Sequence, residues 1–321
     1  MSIITTTCFG LQFSGFSFNA SGINNQIYRQ LEKIGKSNSA AIMLKSITLE
    51  KRLGNENPKY IVKSPLIPGC TFNSMGLPND GIEKSLEYVT ALKQAMLAGE
   101  IPKKPIIASI SGLSLAENIE LYKQVQANGD ADAVEVNLSC PNVIGKPIIG
   151  YDIEQIEQTL HEFSKIGGNV KTGFKLPPYL DVTMFDKVSE VLLKYKVDFI
   201  SSINTVSALV IDAQKESVII KPKNGVGGLG GDFVKPVGLL NVRSFYERIG
   251  DKIDIIGVGG VRTGTDAFEY ALAGACAVQV GSAFAHEGEE IFTKIDTELQ
   301  DILTKKGYNS ISEVIGKLKV L

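Results

Sequence analysis

A single thiol set between carboxamides, Asn137-Leu-Ser-Cys140-Pro-Asn142, is the stretch of this chain best suited to chemistry. Pro141 and Pro147 have no backbone N–H and fix φ, so the segment after Asn137 reads as an irregular loop, where a thiol can meet a ligand. A cysteine ionises near ~8.5 when unperturbed, so it serves as a general base once its surroundings lower that value or the pH rises. The other use of such a thiol is covalent attack, although no histidine neighbours it in sequence. His161 falls inside a predicted helix and reads as a surface or helix-packing residue; His286, just past a predicted strand, reads as structural. Prolines and asparagines are a poor setting for a buried, inert cysteine.

The elements that must hold this loop alternate regularly. Ala133–Asn137 is a short β-branched run ending where the polar residues begin, and similar runs occur at Ser17–Ala20, Ala40–Lys45, Pro105–Ser109, Thr172–Lys175, Phe199–Asn204, Asp254–Gly257 and Ala277–Val280. Helical periodicity follows each of them, at Asn25–Lys36, Ile82–Leu97, Ser114–Gln126, Asp152–Lys165, Asp181–Tyr195, Val237–Ile249, Thr263–Ala273 and Glu287–Lys305, with Asp152 as an N-cap. A hairpin over Thr5–Phe16 precedes them, a short helix near Ser310–Lys317 follows, and insertions occupy Ser46–Asn79 and Thr205–Lys235. Strand–helix repetition without a composition break predicts an α/β fold, a single-domain (β/α)8 TIM barrel over residues 1–321 with an N-terminal hairpin and insertions after strands 2 and 6. A doubly wound open sheet is the competing arrangement.

Composition narrows the partners. Charged residues make up 21% of the chain and the net charge is −2, so there is no global attraction to nucleic acid or to an anionic membrane. The 4 cysteines (Cys8, Cys70, Cys140, Cys276) form no CxxC pair and indicate neither a disulfide framework nor a self-contained metal site. No basic-then-apolar N-terminal segment and no long apolar window are present, so the expectation is a cytoplasmic protein that neither leaves the cell nor spans a membrane.

Barrel active sites lie where strands end. Here those ends carry Asn19-Ala20, Lys45-Ser46, Ser109, Asn137, Lys175, Asn204, Gly259-Gly260 and Gly281-Ser282. Lysines suit an anionic or electron-accepting ligand, and carboxamides, which both donate and accept, suit a flat ring bearing amide or imide groups. Glycines at the last two strand ends suit a phosphate. Gly225-Val226-Gly227-Gly228-Leu229-Gly230-Gly231 contains a literal GxGxxG, but no helix opens from it. It reads as a flexible loop whose end approaches the ligand rather than as a dinucleotide site.

Taken together, Asn137-Leu-Ser-Cys-Pro-Asn142, Asn73-Ser-Met-Gly-Leu-Pro-Asn79, Lys45-Ser46 with Leu49-Glu-Lys-Arg52, Lys175-Leu-Pro-Pro178 and Gly257-Val-Gly-Gly260 resemble the class 1A, fumarate-using dihydroorotate dehydrogenases over essentially the whole chain. The resemblance implies FMN in the barrel mouth and oxidation of (S)-dihydroorotate to orotate in pyrimidine biosynthesis. It also implies fumarate as acceptor and a cytosolic homodimer. A cysteine base sets class 1 apart from the membrane-associated class 2, whose N-terminal extension this chain lacks. Class 1B needs an iron–sulfur partner subunit.

Carried over residue by residue, the resemblance implies that Cys140 takes the C5 proton while the C6 hydride passes to flavin N5. Lys45 is then both catalytic and in contact with substrate and cofactor. Asn73, Met75, Gly76, Leu77, Asn137, Asn142, Asn204 and Thr205 become substrate ligands. Ala20, Gly22, Lys45, Ser46, Asn137, Lys175, Ile203, Gly231, Gly259, Gly260, Gly281 and Ser282 become the cofactor site, with Gly145 and Gly150 as hinges of a lid. The chain departs from the family at Thr205-Val-Ser-Ala-Leu209, where a serine and an Ile-Gly-Asn-Gly run are usual. The competing reading is a related FMN oxidoreductase acting on another dihydropyrimidine or enoate-like compound. An RNA-modifying flavin barrel lacks support from any basic face, and a flavin-free binding barrel would have no use for the thiol beside two lysines.

Overall fold

The computed structural model describes residues 2–139 and 148–321, so Cys140, Asn142 and Gly145 lie outside the described residues. Parallel strands β1 (Ser17–Asn19), β2 (Ile42–Met43), β3 (Ile106–Ile110), β4 (Ala133–Asn137), β5 (Lys171–Leu176), β6 (Phe199–Ser202), β7 (Asp254–Val258) and β8 (Ala277–Val280) form one 8-stranded sheet. From β2 to β8 each pairs with its neighbour in the chain, and β8 returns to β1. This is the predicted barrel. The seam between β1 and β2 is closed differently. Ala40 N–H donates to Ser17 O at 2.9 Å, and the buried Asn19 carboxamide replaces a ladder step, with Nδ2 donating to Met43 O at 2.7 Å and Oδ1 accepting from Met43 N–H at 3.0 Å.

Helices α1 (Tyr28–Lys36), α2 (Ile82–Leu97), α3 (Leu115–Asn128), α4 (Ile153–Ser164), α5 (Val182–Lys194), α6 (Lys235–Ile249) and α7 (Gly264–Ala273) cover the strands. Ser114, Asp152, Asp181 and Thr263 stand just outside four of these helices, each with its side chain accepting a first-turn N–H. The predicted last helix, Glu287–Lys305, is α9 (Glu290–Lys306), and a short helix the sequence reading did not assign, α8 (Ser282–Glu287), precedes it, separated at Gly288, where φ is +73°. The predicted C-terminal helix is a single 3-10 turn, Ile311–Glu313.

The apolar core lies between strands and helices, and a second cluster fills the bottom of the barrel. The N-terminal hairpin, Thr6–Cys8 against Leu11–Phe13, plugs that lower end. Its Phe9 ring stacks on Phe199 with centroids 4.2 Å apart. The spacing of the cysteines indicates no disulfide framework, yet Cys8 and Cys276 are paired as a disulfide across 268 residues, while Cys70 is free and buried. Distance along the chain carries no information about this pair, because closing the barrel brings the first hairpin back against β8.

The insertions also correct the sequence reading. Val226–Gly231 is a strand, not a flexible loop; it pairs antiparallel with both Val206–Leu209 and Cys70–Asn73, and Tyr60–Ile61 completes a 4-stranded sheet over the barrel mouth. Glycine is a poor strand former in general. It is required here by close approach, since a Cβ at Gly227 would lie 2.6 Å from Asn73 O and one at Gly228 2.1 Å from Thr205 Oγ1. The stretch read as departing from the family's usual pattern, Thr205–Leu209, thus contains one of the two edge strands of this sheet, Val206–Leu209.

One buried acid gives the fold a pH dependence. The Asp296 carboxyl on α9 accepts from Ser17 Oγ at 3.0 Å, and burial pushes its pKa up to about 7. An unfolded aspartate ionises near ~3.9, so between that pH and about 7 unfolding releases a proton, and this group's contribution to stability declines as the pH rises through that window. Asp296→Asn should flatten the dependence by about 1–3 kcal/mol between pH 5 and 8, read from urea midpoints. Parallel profiles in the two proteins would refute it.

Candidate active site

The C-terminal ends of the strands surround a cavity. β1 delivers Ala20 and Gly22 to it, β2 Lys45 and Ser46, β4 Asn137, β5 Lys175 and β6 Ile203, Asn204 and Thr205. The β7 and β8 ends add Gly259, Gly260, Gly281 and Ser282. Asn73 and Gly231 reach the cavity from the sheet above, and Met75 and Leu77 from the bend that follows Asn73. Every described residue of the predicted site lines it except Gly76, whose Cβ position points at Asn55 Oδ1, 2.3 Å away. Gly150 is in the 3-10 turn Ile149–Tyr151, and a Cβ there would lie 2.4 Å from Pro177 Cδ, a packing reason for glycine independent of any hinge.

The carboxamides are held in fixed orientations. Asn137 Oδ1 accepts from Ser139 N–H (3.1 Å) and Oγ (3.0 Å) and from Asn204 Nδ2 (3.3 Å), and Asn137 Nδ2 donates to Ser46 Oγ at 3.4 Å. Asn204 Oδ1 accepts from Thr205 N–H at 2.7 Å, and Asn73 Nδ2 donates to Gly228 O at 3.1 Å. Asn79, at the end of the second motif, is a scaffold residue: its Oδ1 accepts from Thr48 N–H and Gly81 N–H while its Nδ2 donates to Leu77 O, which fixes the bend that presents Met75 and Leu77. Lys175 is 5% exposed, and burial holds its pKa below the usual lysine value, with Glu135 acting in the opposite sense.

Opposite the amides the wall is glycine. β7 and β8 are neighbours, so Gly259-Gly260 and Gly281-Ser282 end side by side. Gly260 has φ +67°, and its Cβ would lie 2.6 Å from Lys235 Cβ, so the backbone itself forms the surface there. A flat, phosphate-bearing cofactor fits this arrangement: bare backbone at one end, two lysines and oriented carboxamides at the other.

Sequence reasoning missed Gln279, Tyr60, Thr71, Arg262 and His286, all of which line the cavity. Gln279 left a signal, a single polar letter inside the apolar strand Ala277–Val280; Tyr60 and Thr71 lie in an insertion without periodicity and left none. The Tyr60 phenol is pushed up by burial, and Thr71 Oγ1 pairs with Ser282 Oγ at 2.7 Å. His286, expected to be structural, borders the cavity, whereas His161 is in the last turn of α4, edge-on to Tyr195.

Comparison with known proteins agrees with this geometry. The dihydroorotate dehydrogenase family profile matches residues 3–303. Dihydroorotate dehydrogenase A (fumarate) of Lactococcus lactis subsp. lactis is 43% identical over 324 residues, covering 99% of this chain and 100% of that protein. Dihydroorotate dehydrogenase (fumarate) of Saccharomyces cerevisiae is 40% identical over 321 residues, covering 98% of each. Ligand-free DHODH of Eimeria tenella superposes with a TM-score of 0.82 at 19% identity, over 98% of this chain and 91% of that one, a likeness of fold.

Proposed function

Because the chain belongs to the dihydroorotate dehydrogenase family, we propose that its residues 1–321 form one FMN-binding barrel domain that works in the cytoplasm as a homodimer, with Cys140 as its base. The enzyme oxidises dihydroorotate to orotate with fumarate as acceptor, a step of pyrimidine biosynthesis. Bound FMN supplies the acceptor for the C6 hydride. Cys140 takes the C5 proton as its thiolate. Asn73, Asn137, Asn142 and Asn204 hold the substrate ring and carboxylate, joined by Met75, Gly76, Leu77 and Thr205. Lys45 and Lys175 place positive charge where negative charge accumulates, an electrostatic contribution that needs no rearrangement during the reaction. Ala20, Gly22, Ser46, Ile203, Gly231, Gly259, Gly260, Gly281 and Ser282 hold the cofactor.

The observation that carries the reading is the convergence of Lys45, Asn73, Asn137, Lys175 and Asn204 on one cavity whose other wall is glycine backbone. Among the described residues no helix is long and apolar enough to cross a membrane. The test is anaerobic: purified protein should be yellow and bleach on addition of dihydroorotate. Its colour should return with fumarate in preference to NAD or a quinone, and it should sediment as a dimer. Colourless protein would remove the cofactor; yellow protein that another dihydropyrimidine bleaches faster would move the substrate.

A further inference from the structure

Below the floor of the cavity, side chains from four strands form a continuous polar chain inside the barrel. Lys175 Nζ (β5) donates to Gln279 Oε1 (β8) at 2.9 Å, and Gln279 Nε2 donates to Glu135 Oε2 (β4) at 2.7 Å and to Ser201 Oγ (β6) at 3.2 Å. Ser201 Oγ donates to the same Glu135 oxygen at 2.6 Å. Glu135 and Ser201 are fully buried, and Gln279 is nearly so. The two ends dictate the middle. An ammonium only donates and a carboxylate only accepts, so the Gln279 amide must turn its oxygen to the lysine and its NH2 to the glutamate.

A carboxylate with no water around it persists as an anion only where a cation compensates it. Glu135 Oε1 has no hydrogen-bond partner among the described residues, and the ammonium beyond Gln279 is the cation nearest to it along this chain. At this level β6 and β8 contribute Ser201, Ser202 and Gln279, which carry no charge, and β7 contributes no charged group. Lys45 shares the cavity from the end of β2, while Asp198 and Asp254 lie at the opposite, lower ends of β6 and β7.

We infer that Glu135 is a positioning residue: acting through the oriented Gln279 amide, it keeps Lys175 protonated and aimed into the cavity. The inference rests on the flavin reading of that cavity and deepens it. A fixed cation beside the ligand favours its electron-rich reduced form, so Glu135 sets the reduction potential of the bound flavin without touching it. The function of a carboxylate placed this way is to hold a neighbour's charge constant against pH.

The test is the flavin midpoint potential of the purified holoenzyme, measured across the pH range over which the enzyme stays folded. With the Glu135 charge removed, burial alone acts on Lys175 and its ammonium is lost at lower pH. Glu135→Gln should therefore match or exceed the wild-type potential at the acid end and fall below it at the alkaline end, giving an inflection that the wild type lacks. Glu135→Asp should restore the wild-type profile, and adding Lys175→Met to Glu135→Gln should abolish the inflection. If Glu135→Gln does not fold, Gln279→Met breaks the same link and should give the same inflection. A shift of equal size at every pH, or an inflection that survives Lys175→Met, overturns the inference. Absence of flavin from the wild type would instead overturn the cofactor reading.

Discussion

Cys140→Ala is expected to retain bound FMN and to bind orotate while losing about 10²–10⁴-fold in dihydroorotate oxidation near neutral pH, the usual worth of a positioned base. The expectation comes from the composition of the site. His161 does not line the cavity, His286 follows the Gly281-Ser282 end assigned to the cofactor rather than the carboxamides assigned to the substrate, and the carboxamides of Asn73, Asn137 and Asn204 have no proton affinity to offer. The remaining rate should rise with pH as hydroxide replaces the thiolate, whereas the wild-type rate should level off above the thiol's own ionisation. Stopped-flow reduction by dihydroorotate across pH separates the two. Wild-type-like reduction in the alanine variant would show that another group takes the proton.

The second large effect concerns the seam. Asn19→Leu keeps the branched outline of the side chain but removes both hydrogen bonds to Met43, leaving its buried N–H unpaired. An orphaned buried polar group costs about 1–3 kcal/mol, and with one further bond lost a fall of about 2–4 kcal/mol in unfolding free energy is expected. Ala20 follows directly, and Lys45 within two residues, on the two strands that Asn19 ties together, so the variant should also release its cofactor more readily. Urea denaturation and flavin content after gel filtration report on both. A change below about 0.5 kcal/mol would mean that the seam does not depend on this amide.

Asn19 also shows where sequence reasoning stopped. The strands and helices were legible because apolar runs and helical periodicity repeat eight times, and β4, β8 and α2 have the boundaries the sequence predicts. Lys45, Asn137, Lys175 and Asn204 were legible as polar residues at the ends of such runs. Asn19 follows the same rule, yet its side chain turns inward to close the barrel. Whether a strand-end amide faces a ligand or a neighbouring strand depends on closure, which no local pattern encodes. The sheet over the mouth was illegible for the same reason: Asn73 opposes Gly228 across a long stretch of chain, and a glycine run gives no alternation to read. The Cys8–Cys276 bond and the Glu135–Gln279 link likewise depend on which strands meet across the interior. Each appears in the sequence only as an isolated letter.

The sheet built from both insertions has a consequence for how such chains diversify. Asn73, which faces substrate in the proposed site, lies on one strand, and Gly230 and Gly231, on the cofactor side, lie on the strand hydrogen-bonded to it. A graft that exchanges one excursion for a homologue's would leave its partner without matching register. The two are therefore a single heritable module, separated in the gene and joined in the fold, and a viable chimera must carry both.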